Sequence, residues 1–112
     1  MAIPIPGQPV RGSKSGAPVM ALFDLLGRRW AMGIVWQLSD GCLSFSELQK
    51  RCTTISPTIL STRIKDLGEA KLIERTLDGY TLTAMGMELF KIIEPFKDWA
   101  VNWAKQFKGA EK

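Results

Sequence analysis

The dipeptide Ser56-Pro57 fixes the start of a helix, and that start limits what the chain around it can become. A serine oxygen accepts from the free N–H groups of a first helical turn. Proline suits the next position, where its missing N–H costs nothing. Leu60, Ile64 and Leu67 follow at i, i+4 and i+7 and make one apolar stripe. Upstream, Ser44 and Glu47 have the spacing of a reciprocal capping box, a second helix start. Phe45, Leu48 and Cys52 would face inward from that helix. The gap from Cys52 to Ser56 is as short as a helix-turn-helix requires.

The segment Leu72-Ile73-Glu74-Arg75-Thr76 comes next, then Leu77-Asp78-Gly79, then Tyr80-Thr81-Leu82-Thr83. Asp-Gly between two short apolar runs signals a hairpin. Residues 45–83 therefore read as helix, turn, helix and two-stranded hairpin, the layout of a winged helix-turn-helix. Opposite the apolar stripe of the second helix lie Thr58, Ser61, Thr62 and Lys65, with Arg63 on a flank. Small polar and cationic groups of this kind can approach a groove floor and its phosphates. The plainer alternative is an ordinary solvated face.

Composition sets the wider limits. The chain has 112 residues, 46% of them hydrophobic and 23% charged, which predicts one globular domain with a small core. No apolar run approaches the roughly 20 residues of a membrane span, and the N-terminus lacks the pattern of a signal peptide. A cytoplasmic protein is expected. Net charge is +4. From Leu48 to Lys65 the chain carries Lys50, Arg51, Arg63 and Lys65 and no acid, so the excess falls on the two helices just described. There is no histidine, which removes the commonest general base. The two cysteines, Cys42 and Cys52, lack metal-ligand spacing. No metal, no cofactor and no enzymatic activity are expected.

Residues 1–18 are rich in Pro, Gly and Ser and read as an extended, partly disordered arm, in which Ile3, Ile5 and Val10 could pack on a partner subunit. Residues 19–83 form the winged helix-turn-helix unit. Its first helix carries Val19, Leu22, Phe23 and Leu26 at helical spacing and ends at Gly27. Trp30 opens another helix with Trp30, Ile34 and Leu38 as its inner stripe. Cys42-Leu43 is short enough to be a minimal strand joining the wing. Residues 84–112 form the C-terminal segment, helical to about Phe107 and capped by Thr83. There Met85, Leu89, Ile92, Phe96, Trp99 and Trp103 make a heptad-like seam. That much apolar surface on a terminal helix predicts a dimer interface. Pro95 requires a kink or the start of a new helix.

Leu25-Leu26-Gly27-Arg28-Arg29-Trp30, Phe45-Ser46-Glu47-Leu48, Ile55-Ser56-Pro57, Leu60-Ser61-Thr62-Arg63-Ile64 and Leu72-Ile73-Glu74-Arg75, with Leu82-Thr83, Gly86 and Trp99, resemble the HxlR family. These are winged-helix transcriptional regulators of bacteria and archaea, similar to the MarR group. The resemblance spans roughly residues 18–99. It implies a homodimer that binds operator DNA with the Ser56–Leu67 helix in the major groove. The chain also departs from the family pattern. Ala17 stands where many members have a cysteine before the first helix, which argues against thiol sensing there. Thr58 and Thr62 replace the more usual Arg and Gln-like residues, so the operator should differ. Lys71 replaces the usual glycine after the recognition helix. The wing is short, leaving Arg75 as its candidate for minor-groove contact.

The sequence thus predicts a sequence-specific DNA-binding transcriptional regulator, a repressor acting as a homodimer on an inverted repeat. Lys50, Arg51, Ser56, Pro57, Thr58, Ser61, Thr62, Arg63, Lys65 and Arg75 are its candidate DNA contacts. Met85, Leu89, Ile92, Phe96, Trp99 and Trp103 are its candidate dimer contacts. Trp30, Trp36, Trp99 and Trp103 could line a pocket for a small-molecule effector, although such residues are more often core. Cys52 follows Lys50-Arg51, which could lower its pKa and make it a redox switch; a small buried hydrophobe is the commoner role. The rival reading is a winged-helix module for protein interaction or small-ligand binding that lacks operator-specific DNA binding.

Overall fold

The computed structural model describes residues 3–107. The ends of the two expected terminal segments, residues 1–2 and 108–112, lie outside the described residues. Six helices and one hairpin follow in order: α1 (Pro18–Leu26), α2 (Ala31–Leu38), α3 (Phe45–Arg51), α4 (Pro57–Glu69), β1 (Ile73–Thr76), β2 (Gly79–Leu82), α5 (Ala84–Ile93) and α6 (Phe96–Ala104). The fold is a winged helix-turn-helix, mostly helical, with a helical C-terminal segment. Its longest helix, α4, has 13 residues.

The helix starts follow the local chemistry read from the sequence. Ser44 Oγ accepts from Glu47 N at 3.1 Å, and Ser44 N donates to Glu47 Oε1 at 2.9 Å, closing the capping box of α3. The bond from the Ser44 backbone holds the Glu47 carboxyl below its ordinary pKa, helped by the Ser44 side chain. The cap therefore contributes above the ordinary carboxylate range and is lost as pH falls through the lowered value. Ser56 Oγ accepts from Ile59 N, and Thr83 Oγ1 from Gly86 N. Lys71 adopts the left-handed conformation, φ 67°, at the end of α4. Leu72 N donates to Leu67 O, and Lys71 N to Gly68 O, which together make a Schellman closure with a lysine where glycine would be unstrained.

The wing is a two-residue hairpin in which Thr76 pairs with Gly79. The turn residues are thus Leu77 and Asp78, and Gly79 opens β2 rather than sitting in the loop. Leu43 exchanges both backbone bonds with Tyr80, at 3.0 and 2.8 Å, so the expected minimal strand does join the wing. That approach dictates the glycine: φ at Gly79 is 139°, and a Cβ there would collide with the Leu43 backbone.

The core is formed by Ile34, Val35 and Leu38 of α2, Leu48 of α3, and Leu60 and Leu67 of α4, all essentially without solvent contact. The first helix differs from its predicted stripe. Its buried residues are Ala21 and Leu25; Leu22 and Leu26 of the predicted stripe pack half-buried against the core, whereas Val19 and Phe23 stand exposed.

The C-terminal seam is divided. At Pro95 the helix stops and α6 begins, so the second of the two expected alternatives holds. Leu89 is buried against the body together with Gly86 and Ile93, so it is a core residue rather than part of an exposed face. Trp36 meets Phe90 edge to face at 5.2 Å and docks α5 on α2. By contrast, α6 has no buried residue. Phe96, Trp99, Trp103 and Phe107 are all more than half exposed, with Trp99 and Trp103 stacked at 5.8 Å. The radius of gyration, 15.3 Å, exceeds the roughly 13 Å of a compact chain of this length, in keeping with a projecting helix.

The connection between α1 and α2 is strained and is held from α4. Trp30 precedes α2 at φ 76°, an unusual conformation for a bulky residue. Arg28 Nη1 lies 3.2 Å from Asp66 Oδ2, and Arg63 Nη1 lies 3.3 Å from the same oxygen. Arg63 Nε donates to Arg29 O at 2.7 Å. Asp66 is buried, and both guanidinium groups are largely so. An acid on α4 thus gathers two cations and grips the turn 38 positions earlier in the chain.

Two outcomes follow for stability. Lys71→Gly should raise the unfolding free energy by roughly 0.5–1 kcal/mol, seen as a higher urea midpoint at unchanged slope. Asp66→Ala leaves two guanidinium groups without their shared carboxylate and should cost about 3 kcal/mol in the same measurement; a loss below about 1 kcal/mol would show the cluster to be solvated and dispensable.

Candidate nucleic-acid interface

Two turns of chain display the solvent face of α4. On the inside, Leu60 and Leu67 are anchored in the core, with Ile64 half-buried beside them. Ahead of α4, the helix-turn-helix bend is closed by Thr53 in the left-handed conformation, φ 52°, and by Gln49 Nε2 donating to Ile55 O. With its inner face packed and Asp66 clamped, α4 presents Pro57, Thr58, Ile59, Ser61, Thr62 and Lys65 to solvent.

The candidate contacts differ in what they have left to offer. The Ser56 oxygen is engaged in capping, and Thr62 Oγ1 donates to Thr58 O at 3.0 Å. Thr58 and Ser61 make no side-chain hydrogen bond among the described residues, so their hydroxyls can turn toward a partner. Lys65 and Lys50 are exposed and form no ion pair among the described residues. Arg51 faces Asp40 at 3.6 Å, but both side chains are well exposed, and such a pair holds its partners weakly. Arg63 is different: its guanidinium faces inward to Asp66 and the Arg29 carbonyl. On the wing, Arg75 lies over the Tyr80 ring with 5.6 Å to its centroid, an arrangement that stiffens it while leaving it in solvent.

Two residues escaped the sequence reading. Ile59 is 39% exposed on the outward face of α4, an apolar group among hydroxyls. Its place outside the Leu60–Ile64–Leu67 stripe was the available signal. Asp66 had none, since an acid near the end of a helix normally reads as solvated.

The tryptophans do not converge within the chain. Trp36 packs on Phe90, Trp30 lies beside Arg29, and Trp99 stacks on Trp103 along α6. Cys52 is buried, and burial raises its thiol above its ordinary pKa, in line with the commoner role of a small buried hydrophobe and against activation by Lys50 and Arg51. Cys42 is exposed, with its sulfur 3.4 Å from Thr76 Oγ1. No helix among the described residues is long and apolar enough to cross a membrane.

Comparison with known proteins agrees with this geometry. The family of HxlR-like helix-turn-helix proteins matches residues 25–108. The HTH-type transcriptional regulator YvaP of Bacillus subtilis is 32% identical over 87 residues, covering 71% of this chain and 81% of YvaP. YodB, an HTH-type transcriptional regulator of the same organism, is 33% identical over 85 residues, covering 70% of this chain and 76% of YodB. A crystal structure of quinone-bound YodB superposes with a TM-score of 0.70 at 34% identity, covering 80% of this chain and 97% of that one. The chain belongs to the HxlR-like helix-turn-helix family and is a transcriptional regulator with a helix-turn-helix DNA-binding fold.

Proposed function

We propose that the protein is a homodimeric repressor that binds an inverted-repeat operator, with the two α4 helices in successive major grooves about one turn apart. The observation that carries this reading is the exposed face of α4, polar and cationic, on a helix fixed from behind by Asp66. Thr58 and Ser61 would meet base edges, and Ile59 suits the methyl group of a thymine. Ser56 and Pro57 set the N-terminus of α4, whose remaining N–H groups favour a phosphate. Lys50, Arg51 and Lys65 would neutralise phosphates, and Arg75 would reach the backbone or minor groove beside the wing. Thr62 can still accept a hydrogen bond. Arg63 acts behind the helix rather than on a phosphate.

What supports the dimer is the aromatic surface of α6. Met85, Ile92, Phe96, Trp99 and Trp103 are exposed together, while Leu89 of the same predicted seam serves the core. The chain would act in the cytoplasm, and repression would be steric, by occlusion of a promoter. Ala17 at the start of α1 and the buried Cys52 make thiol-based control at those positions the weaker reading.

Fluorescence anisotropy of labelled DNA from the gene's upstream region, across a salt series and with random DNA as competitor, tests the reading. Binding should resist the competitor and fall steeply with salt. Binding no better than to random DNA would favour a winged helix that serves a protein partner. Lys65→Ala should make the log–log salt slope shallower by about one unit for each phosphate that the lysine neutralises in each subunit; an unchanged slope removes Lys65 from the interface. Trp99→Ala combined with Trp103→Ala should sediment as a monomer, and a tight dimer in that variant would move the interface elsewhere.

A further inference from the structure

The N-terminal arm does more than trail from the domain. Residues 3–6, α1 and the junction between α4 and β1 together line a half-open cavity of about 350 Å³, with residues 3–6 on one side. Its walls are Pro18, Ala21, Leu22 and Leu25 of α1, with Leu72 at the far side. Ile3 and Pro4 are half-buried by this arrangement.

The arm suits an apolar interior. Ile3-Pro4-Ile5-Pro6 alternates proline with a branched aliphatic residue. Proline has no N–H, so at positions 4 and 6 the arm presents no donor that an apolar occupant would leave unsatisfied. Each proline also holds the residue before it extended, so the segment loses little conformational freedom when it meets a ligand. The lining includes only two charged residues, Glu69 and Lys71, of opposite sign. An ionic ligand would find no net charge to match and would lose its hydration on entry.

Size selects the class of occupant. A cavity of ~150 Å³ accepts benzene, and ligand pockets begin near ~300 Å³. A single turn of helix, about 10 Å across and 5.4 Å tall, fills roughly 400 Å³ and would not fit in this cavity. We propose that this cavity is a binding site for an uncharged, apolar small molecule of about two fused rings, with the N-terminal arm as one of its walls. Its position gives an occupant contact with both α1 and the closing turn of the recognition helix, where Lys71 sits in its left-handed conformation.

The test uses the full chain with methyl labels on isoleucine and leucine and 1-indanone, a soluble uncharged bicycle, as the probe. Methyl resonances of Ile3, Ile5, Leu22, Leu25 and Leu72 should shift together and saturate as a single site. Ala21→Leu, which fills the cavity, and Ile5→Asp, which makes the arm charged, should each raise the dissociation constant about tenfold or more. Ile5 lies outside the core, so the second variant keeps the fold even if the first does not. Indane-1-carboxylate should bind about tenfold more weakly than the ketone. Shifts that never saturate, or a dissociation constant unchanged in Ile5→Asp, would overturn the proposal. So would methyl shifts that follow protein dilution and ignore the probe, because a second copy of the chain would then be what meets this surface.

Discussion

Two guanidinium groups on one carboxylate oxygen hold the recognition helix in place. Asp66 sits on the inner side of α4, and Arg28 and Arg63 approach it at 3.2 and 3.3 Å. Removing these charges from water is costly, and their mutual attraction offsets that cost only if the geometry is good and the other donors are satisfied. Arg63 meets the second condition through its Nε bond to the Arg29 carbonyl. The planar fork of arginine reaches two acceptors at a fixed angle, which a lysine could not do. The cluster therefore defines an orientation more than it adds stability. It locks the turn before α2, where Trp30 is strained, to the helix whose outer face the function needs.

The same economy of packing explains the C-terminal half. Leu89 and Ile93 complete the core from α5, and Gly86 lets the start of that helix press against the Leu72 carbonyl, where any Cβ would collide. Beyond Pro95, α6 buries no residue against the rest of the described residues. Exposed Ile92 and Phe107, with three large exposed aromatic residues on α6 between them, would be an aggregation hazard on a free monomer. In the proposed dimer, burial against a second copy would remove the hazard and fix the spacing of the two α4 helices at once. One surface would then set both solubility and operator geometry.

What could be read from the sequence was what depends on near neighbours. Ser44 with Glu47, Ser56 with Pro57, and Thr83 each act within one helical turn, so their roles follow from spacing alone. The left-handed Lys71 was legible only through the family resemblance, which puts a glycine at that position. The Asp66 cluster was not, because its partners lie on another element and the residue types give no sign of burial. The heptad-like spacing from Met85 to Trp103 hid a change of environment: the period continues through Pro95, but the chain docks before it and projects after it. The spacing of Val19, Leu22, Phe23 and Leu26 identified α1, but spacing alone does not say which of them finds a partner: Leu22 and Leu26 pack on the core, while Val19 and Phe23 stay exposed. Among the candidate DNA contacts, residue type placed Lys65 and Arg63 in one class, and only the hydrogen bonds separate them.

That separation bears on how the protein would choose its DNA. With Arg63 turned inward, the recognition helix offers a lysine, two uncommitted hydroxyls and an isoleucine. With the lysine given to a phosphate, none of the others makes the bidentate contact that distinguishes one base pair strongly. A single α4 helix should therefore bind weakly and discriminate modestly. Linking two such helices through α6 makes the second contact intramolecular, and that alone can raise affinity by about 10²–10⁴. Discrimination would then come from requiring two weak half-sites at a fixed separation, with groove width and flexibility read in between. On this argument the rigid placement of α4 by Asp66 matters more than the identity of any one side chain on its outer face. A helix free to tilt would relax the spacing requirement, and most of the selectivity would go with it.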